Sequence, residues 1–350
     1  MVFKTRIAVN RIYIIAEAGV NHNGEPEKAL RLVDVAAEAG ADAVKFQTFS
    51  ADRLVLKGAP TAQYQKEKTG ETDQYDLLKK LELPLDFYPR LVDYCKQKQI
   101  EFLSTPFDQD SADFLIKLGM KRIKVPSGEL TNIPFLEFLA SKKLPMIVST
   151  GMADLQEVKM AVCNIKKTMD ENNFKNTHRL SLLHCTSNYP APLSSVNLNS
   201  IHLLKNEFCV PCGYSDHTQG IFVPVLAVAA GACIVEKHFT LDCNLPGPDH
   251  KASIEPRELK EMVKQIRLTE QILGEYKKEP TPSELQVRAI VRKSIATARM
   301  IKAGERINEK DLIFLRPGTG IAPAKIKMVI GRRVSRDLAK NHILNERDIK

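Results

Sequence analysis

The chain has no tryptophan, and aromatic residues make up only 6% of its 350 positions. Its longest apolar stretch, residues 221–235, is interrupted by Pro224 and Gly231, and it falls short of the roughly 20 residues that a membrane-spanning helix needs. Residues 1–6 contain no apolar region of the kind found in signal peptides. We therefore expect a cytoplasmic protein without a membrane partner.

The sequence also lacks the cysteine pattern of a disulfide framework. The seven cysteines are an odd number without a disulfide-framework spacing, which is typical of proteins in a reducing compartment. Cys209 and Cys212 have the spacing of a redox motif, but the chain offers neither a second pair for a zinc site nor a thioredoxin-like context. The pattern favours a structural over a functional role for this pair.

Negative charge is depleted in one part of the chain. Residues 288–350 hold 16 Lys or Arg against 6 Asp or Glu, whereas the other residues hold 35 against 36, so the net charge of +9 arises from the C-terminal segment. A nucleic-acid module or a cap over a polyanionic substrate would both explain the excess. Because no aromatic residues of the stacking kind are interleaved there, the sequence favours the cap, and we expect no nucleic-acid partner.

Eight short apolar runs are each followed by polar or charged residues, and segments of helical length separate them. The runs occupy Tyr13–Ala16, Ala43–Phe46, Phe102–Ser104, Ile123–Val125, Met146–Val148, Ser181–Leu183, Gly213–Tyr214 and Ile234–Val235. In a (β/α)₈ barrel the parallel strands direct their carboxyl ends to one face, where loops hold the substrate. We therefore predict an α/β fold, a (β/α)₈ TIM barrel with its active site at these ends.

The length exceeds the roughly 250 residues of a usual barrel, so we predict a second domain. The barrel is assigned to residues 1–275, the proline-containing segment 276–289 to a linker, and residues 290–350 to a small, mainly β domain. The loop 50–74 is long for a connection of this kind, which is typical of a lid or an oligomer contact.

Helix signals are clearest in the first crossover. Asn23 is a candidate N-cap, Pro26 suits the first turn, and Gly40 supplies the C-terminal stop. Further helices are expected over residues 85–98 and 154–169, and a helix ending near Leu273 should close the barrel.

Two histidines end the seventh and eighth predicted strands. Strands seven and eight are adjacent in a closed barrel, so His217 and His238 can converge on one ion. Two imidazoles with a nearby carboxylate make a plausible site for Mn²⁺, Zn²⁺ or Fe²⁺. The alternative is that each is a hydrogen-bonded core histidine, but their matched depth on neighbouring strands favours the metal.

Two lysines lie within predicted strands. Lys45 and Lys124 would place ammonium groups at the barrel mouth, which is costly unless they meet an anion. Neutral donors at neighbouring strand ends would complete a phosphate site: Ser127, Ser149, Thr150 and Ser215. Any one of these serines could equally cap a strand end, so the prediction rests on the set.

Other charged groups suit contacts to a polar substrate. Glu17 and Glu129 end strands one and four, where they could orient a polyol or relay protons, although a solvated loop carboxylate is the alternative for each. Asp249 follows a rigid Gly-Pro turn, and Arg316 lies in a stiff loop that presents a single guanidinium.

The order of these motifs is specific. They are Ala16-Glu-Ala-Gly-Val-Asn-His-Asn-Gly24, Val44-Lys-Phe-Gln-Thr48, Ser104-Thr-Pro-Phe107, Lys124-Val-Pro-Ser-Gly-Glu129, Ser149-Thr-Gly-Met152, Leu183-His-Cys-Thr186, Gly213-Tyr-Ser-Asp-His-Thr218, Glu236-Lys-His-Phe239 and Gly247-Pro-Asp249. Over nearly the whole chain they resemble those of sialic acid synthases. The segment around Arg316 is similar to the antifreeze-like (SAF) domain that ends those enzymes.

The resemblance implies a transferase that condenses phosphoenolpyruvate with the open-chain aldehyde of an N-acetylated mannose-type sugar, giving a nine-carbon 2-keto acid and phosphate. It implies metal ligands at His217 and His238, with Mn²⁺ favoured and Mg²⁺ or Co²⁺ as alternatives. It places Glu17 on the acceptor sugar. The residues implied around phosphoenolpyruvate are Lys45, Thr105, Lys124, Ser127, Ser149 and Ser215, and those implied for the rest of the pocket are Gln47, Glu129, Tyr189, Glu236 and Asp249.

The resemblance also implies a homodimer in which the SAF domain is swapped, so that Arg316 acts on the partner's barrel. It leaves three acids, Glu17, Glu129 and Glu236, as candidates for activating the water. At a position that is often Asn in the family, this chain has Ser187, which puts one phosphate contact in doubt.

The favoured reading is an N-acetylneuraminate synthase that uses N-acetylmannosamine. The alternative is a legionaminate synthase that uses 2,4-diacetamido-2,4,6-trideoxymannose, because motifs shared by the whole family do not separate the two. A phosphorylated acceptor would require additional cations near the outer pocket. A non-catalytic protein that binds polyanions through its basic C-terminal domain is the alternative from a different class.

Overall fold

The computed structural model describes residues 11–61, 66, 69–174 and 179–350. Residues 1–6, on which the expectation about a signal peptide rests, lie outside this range, as does part of the loop 50–74. The chain divides into two compact units, Met1–Glu275 and Tyr276–Lys350, and each is described by itself. None of the helices in the described ranges is long and apolar enough to cross a membrane.

The N-terminal unit is built on eight parallel strands. They are β1 (Tyr13–Gly19), β2 (Ala43–Thr48), β3 (Glu101–Pro106), β4 (Ile123–Val125), β5 (Met146–Ser149), β6 (Leu180–Cys185), β7 (Cys212–Asp216) and β8 (Ile234–His238). Their order, β3-β2-β1-β8-β7-β6-β5-β4, is that of a nearly closed barrel. Each predicted apolar run lies in one of these strands, which confirms the predicted barrel.

Strand register brings the polar strand ends to one level. Glu17 on β1 lies opposite Lys45 on β2 and His238 on β8, and Ser215 on β7 lies opposite Glu236. Because the strands are parallel and paired in register, side chains far apart in sequence meet at one end of the barrel.

Helices connect the strands and cover the barrel. They are α1 (Pro26–Ala39), α2 (Ala51–Leu54), α3 (Gln74–Leu81), α4 (Tyr88–Gln97), α5 (Gln109–Lys117), α6 (Ile133–Ser141), α7 (Leu155–Glu171), α8 (Asn199–Phe208), α9 (Phe222–Ala229) and α10 (Pro256–Leu273). Apolar residues on the inner face of α1, such as Leu30 and Val33, are buried in the main core. This spacing is the one expected for an amphipathic helix.

The predicted N-cap of α1 is wrong. Glu25 occupies the N-cap position, and the helix begins at Pro26 without a side-chain cap. Asn23 instead adopts a left-handed backbone conformation, and its side-chain amide donates a 2.8 Å hydrogen bond to the carbonyl oxygen of Pro246. The Asn23 side chain, which local rules assign to the N-cap, therefore makes a long-range contact instead of capping the helix. The predicted stop at Gly40 is correct, since this residue ends the helix with a φ of 80°.

The C-terminal unit contains α11 (Pro282–Val291), β9 (Ser294–Thr297), β10 (Leu312–Leu315) and the short α12 (Ile326–Val329). Strands β9 and β10 pair antiparallel, and isolated bridges join further segments around them. A separate apolar core, which includes Ile295, Ile301 and Leu344, holds the unit together. Helix α11 begins inside the segment 276–289 that the sequence analysis assigned to a linker.

Candidate active site

A cavity of about 370 Å³ opens at the carboxyl ends of the barrel strands. Of the site residues that the sequence analysis predicted within the barrel, all but Thr150 line it. The Thr150 hydroxyl instead donates a 3.1 Å hydrogen bond to the Leu183 carbonyl. Arg316 belongs to the C-terminal unit, where it is exposed. The barrel thus gathers residues that lie between positions 17 and 249 of the chain into one pocket.

The floor of the cavity contains a buried cluster of charges centred on Lys45. Its ammonium group lies 2.7 Å from Glu17 Oε2 and 3.7 Å from Glu236 Oε2, and it donates a 3.1 Å hydrogen bond to Thr105 Oγ1. All four residues are less than 5% exposed. Side-chain charges at this depth are stable only when they are paired.

Lys124 provides a second buried cation beside the first. Its ammonium donates a 2.7 Å hydrogen bond to Ser149 Oγ and lies 3.6 Å from Glu236 Oε1. The Ser215 hydroxyl donates a 2.9 Å bond to the same Glu236 oxygen. Glu236 therefore joins both lysines, and the pair of ammonium groups can face an anionic substrate without leaving their carboxylate partner.

Burial and pairing shift the pKa of these groups in opposite directions. Burial raises the pKa of Glu17 to about 7, against the effect of Lys45. Burial alone would raise the pKa of Glu236 too, but Lys124, Lys45 and the Ser215 hydrogen bond hold it below its ordinary value. Burial lowers the pKa of Lys124, whereas Glu17 and Glu236 outweigh burial at Lys45 and raise its pKa. Glu236 is therefore a carboxylate at neutral pH.

Serine hydroxyls and a backbone amide form a second part of the floor. Ser127 Oγ accepts a 3.0 Å hydrogen bond from the Gly151 amide and lies 3.1 Å from Cys185 Sγ. A Cβ at position 151 would lie 2.8 Å from both of these side-chain atoms and would overlap the Ser187 hydroxyl. Only glycine fits there. The sequence analysis did not single out Gly151, because a strand-end glycine has no local signature of close packing.

The side chains of Glu17, Gln47 and His238 converge above Gly19. Gln47 donates a 3.4 Å hydrogen bond to Glu17 Oε1. A Cβ on Gly19 would lie 3.3 Å from Glu17, 3.5 Å from Gln47 and 3.6 Å from His238. Since Gly19 also has a φ of +53°, its lack of a side chain both permits the backbone turn and leaves room for this cluster.

The two histidines expected to bind a metal face each other across β7 and β8. Their ring centroids lie 5.5 Å apart, and the Tyr189 ring packs 4.2 Å from that of His217. Burial lowers the pKa of His217 and lowers that of His238 well below its ordinary value. Both imidazoles are therefore neutral at neutral pH, which is the form that coordinates metals.

The hydrogen bonds of these histidines fit a divalent ion. His217 uses Nδ1 for a 2.7 Å bond to the Thr186 carbonyl, which leaves Nε2 for a ligand. His238 Nδ1 is buried without a hydrogen-bond partner among the described residues, and Asp249 Oδ2 lies 3.8 Å away. Within the described ranges no three His, Cys, Asp or Glu side chains form a closed metal site. The protein would thus supply two imidazoles, and water or substrate the other ligands.

Asn21, to which the sequence analysis gave no role, connects the segments that carry His238 and Asp249. Its side-chain amide donates 2.8 Å to the Phe239 carbonyl and 2.9 Å to Ser253 Oγ. Ser253 in turn donates 2.7 Å to the Asp249 carbonyl. Because Asn21 is buried, these bonds are shielded from water and hold both segments in place.

Glu129 has a more peripheral place than Glu17 and Glu236. It lines the cavity at a half-buried position, and its carboxylate accepts a 2.7 Å hydrogen bond from Asn132 Nδ2.

Cys209 is exposed and Cys212 is buried, and both are free thiols. Burial raises the pKa of Cys212 to about 12, which agrees with the inert character that the sequence analysis assigned to this pair.

An apolar wall of the cavity was missed in the sequence analysis. Val20, Phe49 and Phe107 follow the first three strands, and they pack with Leu77 and other residues of α2 and α3. The leucine spacing in residues 77–81 could have indicated a buried helix face. The sequence alone gives no sign that this face borders the pocket.

Comparison with known proteins identifies the family. The NeuB family profile matches residues 32–278, and the SAF domain profile matches residues 292–350. The chain belongs to the NeuB family. The resemblance to sialic acid synthases and the predicted SAF domain are therefore confirmed.

Two relatives of this NeuB protein are synthases of acidic sugars. The chain is 53% identical over 328 residues to the N,N'-diacetyllegionaminic acid synthase of Legionella pneumophila, with 93% of this chain and 91% of that protein covered. It is 36% identical to the N-acetylneuraminate-9-phosphate synthase of Homo sapiens, covering 92% and 88% of the two chains.

A solved structure agrees with this placement. The N-acetylneuraminic acid synthetase of Leptospira borgpetersenii, crystallised with citrate, matches with a TM-score of 0.69 at 36% identity, covering 82% of this chain and 94% of that one. The predicted transferase-type enzyme is confirmed by these synthases. The alternative of a non-catalytic polyanion-binding protein is set aside.

Proposed function

We propose that this NeuB protein is an N,N'-diacetyllegionaminate synthase. It would condense phosphoenolpyruvate with 2,4-diacetamido-2,4,6-trideoxymannose and water, and release phosphate. The observation that carries the proposal is the 53% identity to the Legionella pneumophila enzyme over 93% of this chain. Of the two acceptors considered in the sequence analysis, this similarity supports the diacetamido sugar better than N-acetylmannosamine.

Phosphoenolpyruvate would lie on the floor of the cavity. Lys45 and Lys124 face its negative charges, and the hydroxyls of Ser127, Ser149 and Thr105 are neutral donors around them. These groups are buried and already oriented, so they need little rearrangement when phosphate charge changes during the reaction. Glu236 would hold the two lysines in position through its contacts with both ammonium groups.

The acceptor would lie above this floor, between Glu17, Gln47, Asp249 and the histidine pair. The π electrons of the C2–C3 double bond of phosphoenolpyruvate form the new bond to the aldehyde carbon of the sugar, which leaves C2 as an oxocarbenium centre, and the aldehyde oxygen takes up a proton. Water adds to C2 and releases one proton, which balances the proton taken up by the aldehyde oxygen. The C2 hydroxyl then loses its proton as the bond from C2 to the phosphate oxygen breaks, and C2 becomes the keto carbon. The products are the nine-carbon 2-keto acid and phosphate.

We propose that His217 and His238 hold a divalent cation, with Mn²⁺ favoured over Mg²⁺ or Co²⁺. Bound there, the cation would polarise the aldehyde oxygen. Three observations support this assignment: the neutral imidazoles, the His217 bond to the Thr186 carbonyl, and the buried Nδ1 of His238, which has no hydrogen-bond partner in the part of the chain that the structure describes.

Among the three acids considered for activating the water, the contacts favour Glu17. Glu236 lies between two lysines and accepts a bond from Ser215, and Glu129 is bonded to Asn132 at the rim. Glu17 lies on the floor, and within the described ranges its Oε1 accepts a single long bond, from Gln47. That oxygen is available to a water or a substrate hydroxyl.

We also propose the swapped homodimer, in which Arg316 binds the acceptor in the partner's barrel. Arg316 is exposed in its own unit, and helix α11 exposes Leu285, Val287 and Ile290. A dimer would cover these apolar side chains.

All seven cysteines are free thiols, which supports the expected cytoplasmic location.

The test is phosphate release from phosphoenolpyruvate in the presence of Mn²⁺. N-acetylmannosamine, its 6-phosphate and 2,4-diacetamido-2,4,6-trideoxymannose are supplied in parallel. We expect the highest kcat/KM with the diacetamido sugar. A higher kcat/KM with N-acetylmannosamine would overturn the proposal in favour of an N-acetylneuraminate synthase, and turnover with only the 6-phosphate would assign a phosphorylated acceptor.

A further inference from the structure

The apolar wall of the cavity is a small core of its own, separate from that of the barrel. Four of its side chains are buried, and three more are partly buried against them. It consists of Val20, Phe49, Leu54, Leu77, Leu78, Leu81 and Phe107, all of which line the cavity. Phe49 and Phe107 meet edge to face with ring centroids 5.9 Å apart. The wall is therefore packed rather than a chance group of exposed side chains.

Polar contacts on its outer side fix the two helices of the wall to each other. Asp52 on α2 accepts a 2.7 Å hydrogen bond from the Tyr75 hydroxyl and lies 3.1 Å from Lys79 Nζ. Glu82, which follows α3, accepts a 2.6 Å bond from the backbone amide of Ala51. Because these contacts join α2 to the α3 segment, they hold Leu54 and Leu78, which both line the cavity, in place.

The wall presents no cation to the cavity. Lys79 is paired with Asp52 and Glu82, and Lys80 with Glu71. Among the described residues that line the cavity, the lysines are Lys45 and Lys124 on the floor, and no arginine lines it. A phosphate at the outer end of the acceptor would therefore lack a cationic partner among the described residues of its own barrel, and phosphate recognition ordinarily depends on Arg, Lys or backbone donors.

The position of the wall determines which part of the acceptor reaches it. Its residues follow β1, β2 and β3, whereas Tyr189 and His217 follow β6 and β7 on the other side of the barrel. The reacting carbon of the acceptor must lie over the floor, next to phosphoenolpyruvate. The opposite end of the six-carbon chain then extends outward to the rim.

We infer that this wall binds the C6 methyl group of a 6-deoxy sugar and sets the selectivity of the enzyme for that group. The inference rests on the proposed function and names the residues behind its substrate preference. A methyl group gains from contact with leucine and phenylalanine side chains. A C6 hydroxyl would lose its hydrogen bonds to water there without gaining a partner.

The size of the expected effect follows from the behaviour of apolar pockets. Such pockets discriminate between closely related apolar and hydroxylated groups by about 10- to 100-fold. We therefore expect kcat/KM for 6-deoxy-N-acetylmannosamine to exceed that for N-acetylmannosamine by about 10- to 100-fold. These two sugars differ only in the oxygen at C6, so their ratio isolates the contribution of the wall.

The experiment measures that ratio in the wild-type protein and in variants of two wall residues on different helices. Leu78→Gln and Leu54→Gln each place an amide where the methyl group would lie, and both residues are only partly buried, so the fold should tolerate the change. Each should lower the ratio at least about fivefold. Leu78→Met keeps the surface apolar and should retain the preference. Leu56→Gln is the matched control, because Leu56 is 83% exposed and does not line the cavity.

The outcomes separate the inference from the proposed function. A wild-type ratio near one, with turnover of the diacetamido sugar, would overturn the role of the wall and leave the proposed function standing. An unchanged ratio in both active glutamine variants would do the same. Absence of turnover with any of the sugars would overturn the proposed function, and the inference with it.

Discussion

A buried ion pair joins the two strands that carry the histidine pair, and its removal provides a quantitative test of the structure. Lys237 Nζ lies 2.6 Å from Asp216 Oδ2, and both side chains are fully buried. The two residues are register partners on β7 and β8. In the chain, Asp216 directly precedes His217, and Lys237 directly precedes His238. We predict that Asp216→Asn destabilises the barrel strongly.

The expected magnitude follows from what the substitution leaves behind. Asp216 accepts bonds from Lys237, from the Thr218 amide at 3.1 Å and from the Thr218 hydroxyl at 3.0 Å. In the variant a neutral amide replaces the carboxylate, so the buried Lys237 ammonium loses its counter-charge. In either orientation the amide NH2 group faces a donor, either the Lys237 ammonium or the Thr218 backbone amide. Removing one member of a buried pair costs about 3–5 kcal/mol. For a unit of this size the melting temperature should fall by roughly 6–20 °C.

The assay is equilibrium unfolding followed by far-ultraviolet circular dichroism, since the chain has no tryptophan for fluorescence. The double variant Asp216→Leu with Lys237→Met removes both charges and should lose less stability than the two single changes together. Asp93→Asn makes the same chemical change at an exposed pair with Lys96 and should have no measurable effect. A loss below about 1 kcal/mol for Asp216→Asn, or strict additivity in the double variant, would refute the reasoning.

Three further predictions concern the site. His217→Ala should weaken Mn²⁺ binding, measured by electron paramagnetic resonance, at least about tenfold while leaving the fold intact; unchanged affinity would contradict its role as a ligand. Gly151→Ala should raise the KM for phosphoenolpyruvate at least about tenfold, because its Cβ would displace the Ser187 hydroxyl and the neighbouring donors; a wild-type KM would show that this cradle does not bind the substrate. Mixing Arg316→Ala subunits with His238→Ala subunits should restore part of the activity through one intact composite site, and no recovery in verified heterodimers would argue against the swap.

The strands and their polar ends could be predicted because both signals are local. A buried parallel strand is a short apolar run, and a change to polar residues marks its end. Once eight such runs suggest a barrel, Lys45, Glu236 and His238 must meet at one face, since barrel topology places all carboxyl ends there. Sequence reasoning could therefore predict that these residues line one cavity.

Other features depend on contacts between distant residues. Asn23 has the sequence of an N-cap, yet its side chain bonds to the Pro246 carbonyl more than 200 residues away. Asn21 holds the segments of His238 and Asp249 by bonds of the same long-range kind. Neither role follows from local propensity, because each partner becomes a neighbour only when the barrel closes.

The sequence by itself determined the strand order, the charged residues that face the cavity, and the family to which the chain belongs. The tertiary structure decided which of those charges share a partner, as when Glu236 meets both lysines. It also decided that Val20, Phe49, Leu78 and Phe107 form one wall. The physical reason is that alternation and spacing are properties of a single segment, whereas burial, pKa and the shape of a pocket arise from segments packed against one another.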